Sequence, residues 1–118
     1  MARRFLITNA DLACVRNQQR IAVSGVEGAI AHGEPIAPVA EQVDLYLPES
    51  EMEQVRGLVA LVADVLSPVI FRVVPEACWP MMSAQDRLAP PAAVALDLVE
   101  RGDPREWLAA EALLADDT

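Results

Sequence analysis

The chain of 118 residues contains no lysine: all nine of its cations are arginine. That excludes Schiff-base chemistry, a Walker-type phosphate lysine and the lysine of a PD-(D/E)xK nuclease. Histidine occurs once, at His32, so a Ser-His-Asp or Cys-His arrangement has little to build on. His32 stands just before Gly33 at the end of an expected helix, where the macrodipole favours a cation and a structural role. Cysteine occurs twice, at Cys14 and Cys78, far apart and in no CxxC or zinc-type spacing. In a reducing compartment the two read as buried small hydrophobes. Carboxylates form no EF-hand or other metal loop. No catalytic residue, metal ligand or cofactor is therefore expected.

Long hydrophobic runs are also missing. The apolar stretch at 57–63 (GLVALVA) is cut by Asp64 and falls far short of the roughly 20 residues that span a bilayer. The opening MARRFLIT has arginines but neither a long apolar region nor a small-residue cleavage site. The expectation is a cytoplasmic protein that does not enter a membrane.

Negative charge is plentiful. The net charge is −9 and the isoelectric point about 4.4, which argues against direct nucleic-acid binding by this chain alone. The distribution is uneven. Residues 1–20 hold Arg3, Arg4, Arg16 and Arg20 against Asp11, a balance of +3 that leaves −12 for the rest. These four arginines read either as solvated side chains or as a basic lip that meets a partner.

One domain is expected over residues 1–118: a basic N-terminal segment at 1–20, a β-α-β-α-β core at 21–75 and a helical hairpin at 88–117. Residues 5–8 (FLIT) suggest a short strand, followed by a helix capped by Thr8 with Asp11 at the capping-box spacing and Leu12 and Val15 facing inward. Residues 21–24 (IAVS) suggest a strand. A helix at 26–32 follows, stopped by Gly33, and Pro35 and Pro38 make 34–41 a loop. QVDLYLP alternates as a half-buried strand with Asp44 and Tyr46 on one face. Ser50 and Glu53 then predict a capping box, worth about 1 kcal/mol, opening a helix with Met52, Val55, Val59, Val62 and Leu66 on a stripe widened by Leu58, Leu61 and Val65. VIFRVV at 69–74 is a strand between prolines. Its Arg72 either pairs with Asp44 on a neighbouring strand or snorkels at an edge.

Pro90 and Pro91 open a helix that ends at Gly102, and Asp103, Pro104 and Glu106 open another with Trp107, Ala110 and Leu114 on one stripe. Together they form an αα-hairpin, with the RGD at 101–103 serving as cap chemistry. Its apolar faces need the sheet or another chain to cover them. Trp79, in Trp79-Pro80-Met81-Met82, reads as a plug over the core or as an interface anchor. The order of elements predicts an α/β (or α+β) fold: a three- to four-stranded, partly parallel sheet packed by helices.

One constellation touches on chemistry. SGVEGAIAHG at 24–33, followed by VDLYL on a strand, has the outline of a nucleotidyltransferase core. There a small-residue turn opens a helix, and a strand carries carboxylates at i and i+2 for Mg²⁺. Here Asp44 is present but position i+2 is Tyr46. A reduced transferase would have to recruit Glu27 or Asp64; a catalytically empty relative needs neither.

The succession IAVSGVEGAIAHG, VDLYLPE, helix, VIFRVVP and RLAPPAAVALDLVERGDPREWLAAEALL resembles the C-terminal domain of AbiEi-type antitoxins, of the type IV toxin–antitoxin (abortive-infection) group. The resemblance covers residues 20–117 and rests on Ser24-Gly25 with Ala29, on Leu45-Tyr46-Leu47, and on Leu96-Asp97-Leu98 followed by Arg105, Ala109-Ala110-Glu111 and Leu113. The family's glutamine ahead of the late LDL is replaced by Pro91-Ala92-Ala93-Val94. The resemblance implies a non-enzymatic regulator that opposes a nucleotidyltransferase-like toxin. It also implies transcriptional repression through a winged helix, for which this chain has no room. Arg3, Arg4, Arg16, Arg20, Trp79 and Trp107 are then the candidates to meet a protein partner, a cognate toxin or a second copy of the chain. Asp44 and Arg72 are the candidate polar anchor.

Overall fold

The computed structural model describes residues 2–38, 42–82 and 87–116. In chain order the elements are β1 (Ala2–Leu6), α1 (Asn9–Arg16), β2 (Ala22–Ser24), α2 (Gly25–Ala31), β3 (Val43–Pro48), α3 (Glu49–Leu58), β4 (Val62–Ala63) and β5 (Val69–Val74). A 3-10 turn at Glu76–Cys78 then leads into α4 (Trp79–Met82), α5 (Pro91–Arg101) and α6 (Pro104–Asp116). The strands form one mixed sheet in the order β2-β3-β5-β1-β4, with β3 and β5 parallel and the other neighbours antiparallel. This is the expected α/β architecture with its C-terminal helix pair. The sheet has five strands rather than three or four. The first strand lies at Ala2–Leu6 rather than at 5–8, and the two-residue β4 is too short to leave a sequence pattern.

Both faces of the sheet are covered. On one, Phe5, Leu45, Leu47 and Phe71 pack with Val15 of α1 and with Met52 and Val55 of α3. The Phe5 and Phe71 rings meet at 5.4 Å and 51°, a tilted aromatic pair. On the other, Ala22 packs with Val26 and Ala29 of α2, Val94, Ala95 and Leu98 of α5, and Ala109, Ala110 and Leu113 of α6. Central position corrects the reading of β3 as half-buried: Asp44, on its polar alternation, is as buried as Leu45 and Leu47 beside it.

The expected long helix after Pro48 ends at Leu58. Gly57 weakens its last turn, and Val59 is extended at φ −134°, ψ 157°. β-branched Val59, Val62 and Val65 favour extended backbone, and the chain turns back to pair Val62–Ala63 with β1. Beyond Val55 only Val59 and Leu61 of the expected stripe still pack, half-buried, against the core; Leu58 and Val62 are exposed, and Val65 and Leu66 are 85% and 87% exposed. Ser50 does not cap the helix either. Pro48 occupies the cap position without a side-chain bond, while the Ser50 N–H donates to Glu76 Oε1 at 2.8 Å.

Other local features follow the sequence. The Asp11 N–H donates to Thr8 Oγ1 at 3.1 Å, which is the predicted cap of α1. Gly33 and Gly102 take left-handed backbone at φ +96° and +80°, and Asp103 Oδ1 accepts from the Arg105 N–H at 2.8 Å. Residues 34–38 carry no regular structure, as their prolines require; 39–41 lie outside the described residues, as does residue 117 of the expected hairpin. The stripe of α6 is rotated from the expected one. Glu106, Ala109, Ala110 and Leu113 face inward, where the small alanines let α6 come close to its neighbours, and Trp107 and Leu114 lie at the margin. The cysteines are not fully buried as expected: Cys14 is half-buried on α1 and Cys78 is exposed on the 3-10 turn. No helix among the described residues is long and apolar enough to cross a membrane.

Candidate functional site

The pairing of β2, β3 and β5 sets Ser24 beside Asp44 and Tyr46 beside Arg72. Because side chains alternate along a strand, all four project to the face covered by α2, α5 and α6. Helix α5 adds Asp97, Glu100 and Arg101. The result is a charged layer inside the molecule.

Asp44 is its centre. Its Oδ1 accepts from Arg72 Nε at 3.1 Å and Nη2 at 2.9 Å, and its Oδ2 accepts from Arg101 Nε at 3.0 Å and Nη2 at 2.8 Å. Both carboxylate oxygens are thus filled by forked guanidinium contacts. The Gly25 turn closes over the same group: at φ +64°, a Cβ there would lie 2.2 Å from Asp44 Oδ2. Only glycine meets both demands.

Arg72 also lies 3.2 Å from Asp97 Oδ1 and donates to Glu100 Oε2 at 2.9 Å. Burial opposes its charge, but Asp97, Asp44 and Glu100 outweigh that and raise its pKa. Asp97 accepts the Tyr46 hydroxyl at 3.1 Å and the Ser24 hydroxyl at 2.5 Å. Burial pushes the Asp97 carboxyl up to about 6, against the Ser24 hydrogen bond and the Arg72 charge and with added repulsion from Asp44. The Tyr46 hydroxyl is pushed far above its ordinary range by burial and by Asp97. Glu106 of α6 is 2% exposed with its Oε1 unpartnered among the described residues, and burial raises its pKa. Within this layer the buried acids (Asp44, Asp97, Glu106) therefore outnumber the buried guanidinium groups (Arg72, Arg101) by one. Such a layer favours keeping a proton.

The arrangement binds charge internally and presents little for chemistry. Glu27 is taken by Arg16 at 2.6 Å, and Asp64 follows β4, three strands away from β3, with its Oδ1 accepting from the Leu66 N–H. Neither joins Asp44. Among the described residues no group of three or more His, Cys, Asp or Glu is placed to hold a metal ion. Grooves on the surface lie elsewhere; one of about 630 Å³ is lined by Arg3 and Arg56 together with Glu49, Glu53 and Glu76.

Three arginines of the N-terminal segment are held by neighbouring groups. Arg16 pairs with Glu27, Arg20 reaches Glu51 at 3.4 Å and Glu76 at 2.8 Å, and Arg4 donates to Ser67 O at 2.9 Å. Arg3 lies on β1 at the groove just described. Trp79 is half-buried against the core cluster on the face that α2, α5 and α6 cover, while Trp107 is about half exposed. His32 Nε2 sits 2.8 Å from Ala89 O, a structural contact. The Asp44–Arg72 pair is the one candidate set that the fold brings together. Sequence reasoning missed Asp97 and Arg101. Their signal was a charged pair four residues apart on the stripe that also carries Val94 and Leu98, where a solvated helix would be apolar.

Comparison with protein-family models, with curated proteins and with solved structures finds no match to this chain.

Proposed function

We propose that the chain is a non-catalytic, protein-binding regulatory domain of the AbiEi-antitoxin kind, acting in the cytoplasm against a nucleotidyltransferase-like toxin. The observation that carries this reading is the state of Asp44. In an active transferase the strand carboxylate would offer its oxygens to a metal; here both are filled by Arg72 and Arg101, and the neighbouring turn leaves no space beside it. The position of a second carboxylate is held by Tyr46, which binds Asp97 instead. The residues behind the family resemblance also acquire a physical role: Asp97 of the late Leu96-Asp97-Leu98 ties the helical hairpin to the sheet.

The test is co-expression with the nucleotidyltransferase-like product of a neighbouring gene. Relief of growth arrest is expected. No such neighbour, or no relief with one, counts against the reading. Calorimetry with Mg²⁺ and nucleoside triphosphates addresses the alternative of a reduced transferase: binding heat abolished by Asp44→Asn would replace the proposal with an enzymatic one.

A further inference from the structure

Strand β4 is the outermost strand of the sheet. The Asp64 N–H donates inward to Arg4 O at 3.1 Å, and amide directions alternate along a strand. The N–H and C=O of Ala63 therefore face away from β1. Sheet edges are ordinarily guarded by lysine, proline or an inward charge; residues 58–63 (LVALVA) contain none of these.

The side chains around this edge are apolar and exposed. Leu6, Leu58 and Val62 are 58–59% exposed, and Val65 and Leu66 are almost fully so. Leu6 and Val62 are cross-strand partners, and Val65 and Leu66 follow on the next turn, so apolar side chains line the edge and its return. The exposure is built in. Asp64 Oδ1 accepts from the Leu66 N–H at 2.9 Å, and its carbonyl accepts from the Ser67 N–H at 3.0 Å. The Ser67 hydroxyl donates to Phe5 O at 2.6 Å, and Arg4 Nη1 donates to Ser67 O. The turn holding Val65 and Leu66 is thus pinned to β1, so little ordering is left for association to impose.

We propose that this edge is a self-association surface through which two copies of the chain pair, β4 against β4, about a two-fold axis. A two-fold contact lays the patch on itself, apolar against apolar. Charge favours a second copy here over other parts of the surface. At −9 per chain most faces repel a copy of themselves, whereas the six residues at 58–63 carry no charge. A standard interface takes about 800 Å² from each partner. Arg4 and Arg56 border the patch, where they share a groove of about 570 Å³ with Ala63, Asp64 and Val65. The proposal does not depend on the identity of any toxin.

Sedimentation velocity of the full chain over a hundred-fold range of concentration, into the high micromolar, reads the equilibrium. A dimer is expected. Leu66→Asp or, on the same turn, Val65→Asp should raise its dissociation constant at least ten-fold, with a thermal melt that matches the parent's at concentrations low enough for both to be monomeric. Ala63→Pro, which removes the outward N–H and leaves the Asp64–Arg4 bond, should do the same. Leu108→Asp, on an exposed part of α6, should leave association intact. A monomer throughout, a dimer that survives the edge variants, or a dimer abolished by Leu108→Asp would overturn the proposal.

Discussion

Replacing Asp97 with asparagine tests whether the buried layer carries the surplus acid that its geometry implies. In the unfolded chain this carboxyl titrates near its ordinary 3.8, and in the fold near 6. Between those values the native state holds a proton that the unfolded state releases. The contribution to stability is therefore fully present below 3.8 and is lost as the pH rises through 6. The complete difference is about 3 kcal/mol, of which about 1.4 kcal/mol falls between pH 5 and pH 7.5. With Asp97 only 3% exposed, solvent screening removes little of it. Asparagine can still accept from Tyr46 through Oδ1 and can donate to Ser24 Oγ through Nδ2. Urea unfolding at the two pH values is the assay, and the effect corresponds to about 1 M in midpoint for a domain of this size. The parent should be more stable at pH 5 than at pH 7.5, and Asp97→Asn should remove most of that difference. A parent that is equally or less stable at pH 5, or a variant that keeps the full difference, would refute the reasoning.

Three further substitutions probe the same frame. Gly25→Ala forces a Cβ into Asp44 and a side chain into left-handed backbone; a loss of about 3 kcal/mol or more is expected, read as a drop in melting temperature. Arg72→Met leaves Asp97 without its cation and Asp44 with only Arg101, and should cost about 3–5 kcal/mol in urea unfolding. Arg72→Lys, which restores the charge but not the fork, should recover less than half of that loss. Thr8→Ala removes the cap bond of α1 and should cost about 1 kcal/mol, while an effect near zero would show that the exposed cap contributes nothing.

Much of the fold was legible where one signal had one meaning. Gly102 followed by Asp103 and Pro104 can hardly be anything but the end of one helix and the start of another, and VIFRVV between two prolines becomes β5 with those bounds. The reading failed where the same residues satisfied two patterns. Val59, Val62 and Leu66 fit helical spacing, yet their β-branched neighbours and Gly57 allowed an extended return, and only the open edge of β1 decided between them. The polar layer was half legible for a related reason. Asp44 and Arg72 sit on strands whose pairing could be guessed, whereas Asp97 and Arg101 reach the layer only once the hairpin is docked, a long-range fact with no local cause.

A layer of this kind gains little stability from its ion pairs, because moving charges out of water offsets most of what their attraction returns. What it supplies is position. Many of the residues packed on the layer's side of the sheet are alanines (Ala22, Ala29, Ala89, Ala95, Ala109 and Ala110), whose short side chains form only shallow ridges to fix a register. The forked contacts of Arg72 and Arg101 on Asp44, with Asp97 seated between Ser24 and Tyr46, allow one depth and one rotation of α5 on the sheet. Shifting α5 by one turn would strand two arginines and two acids in a dry interior, at a cost far above that of misplacing alanines. The carboxylate of Asp44 beside the Gly25 turn is thus the peg that fixes a helical hairpin on the sheet.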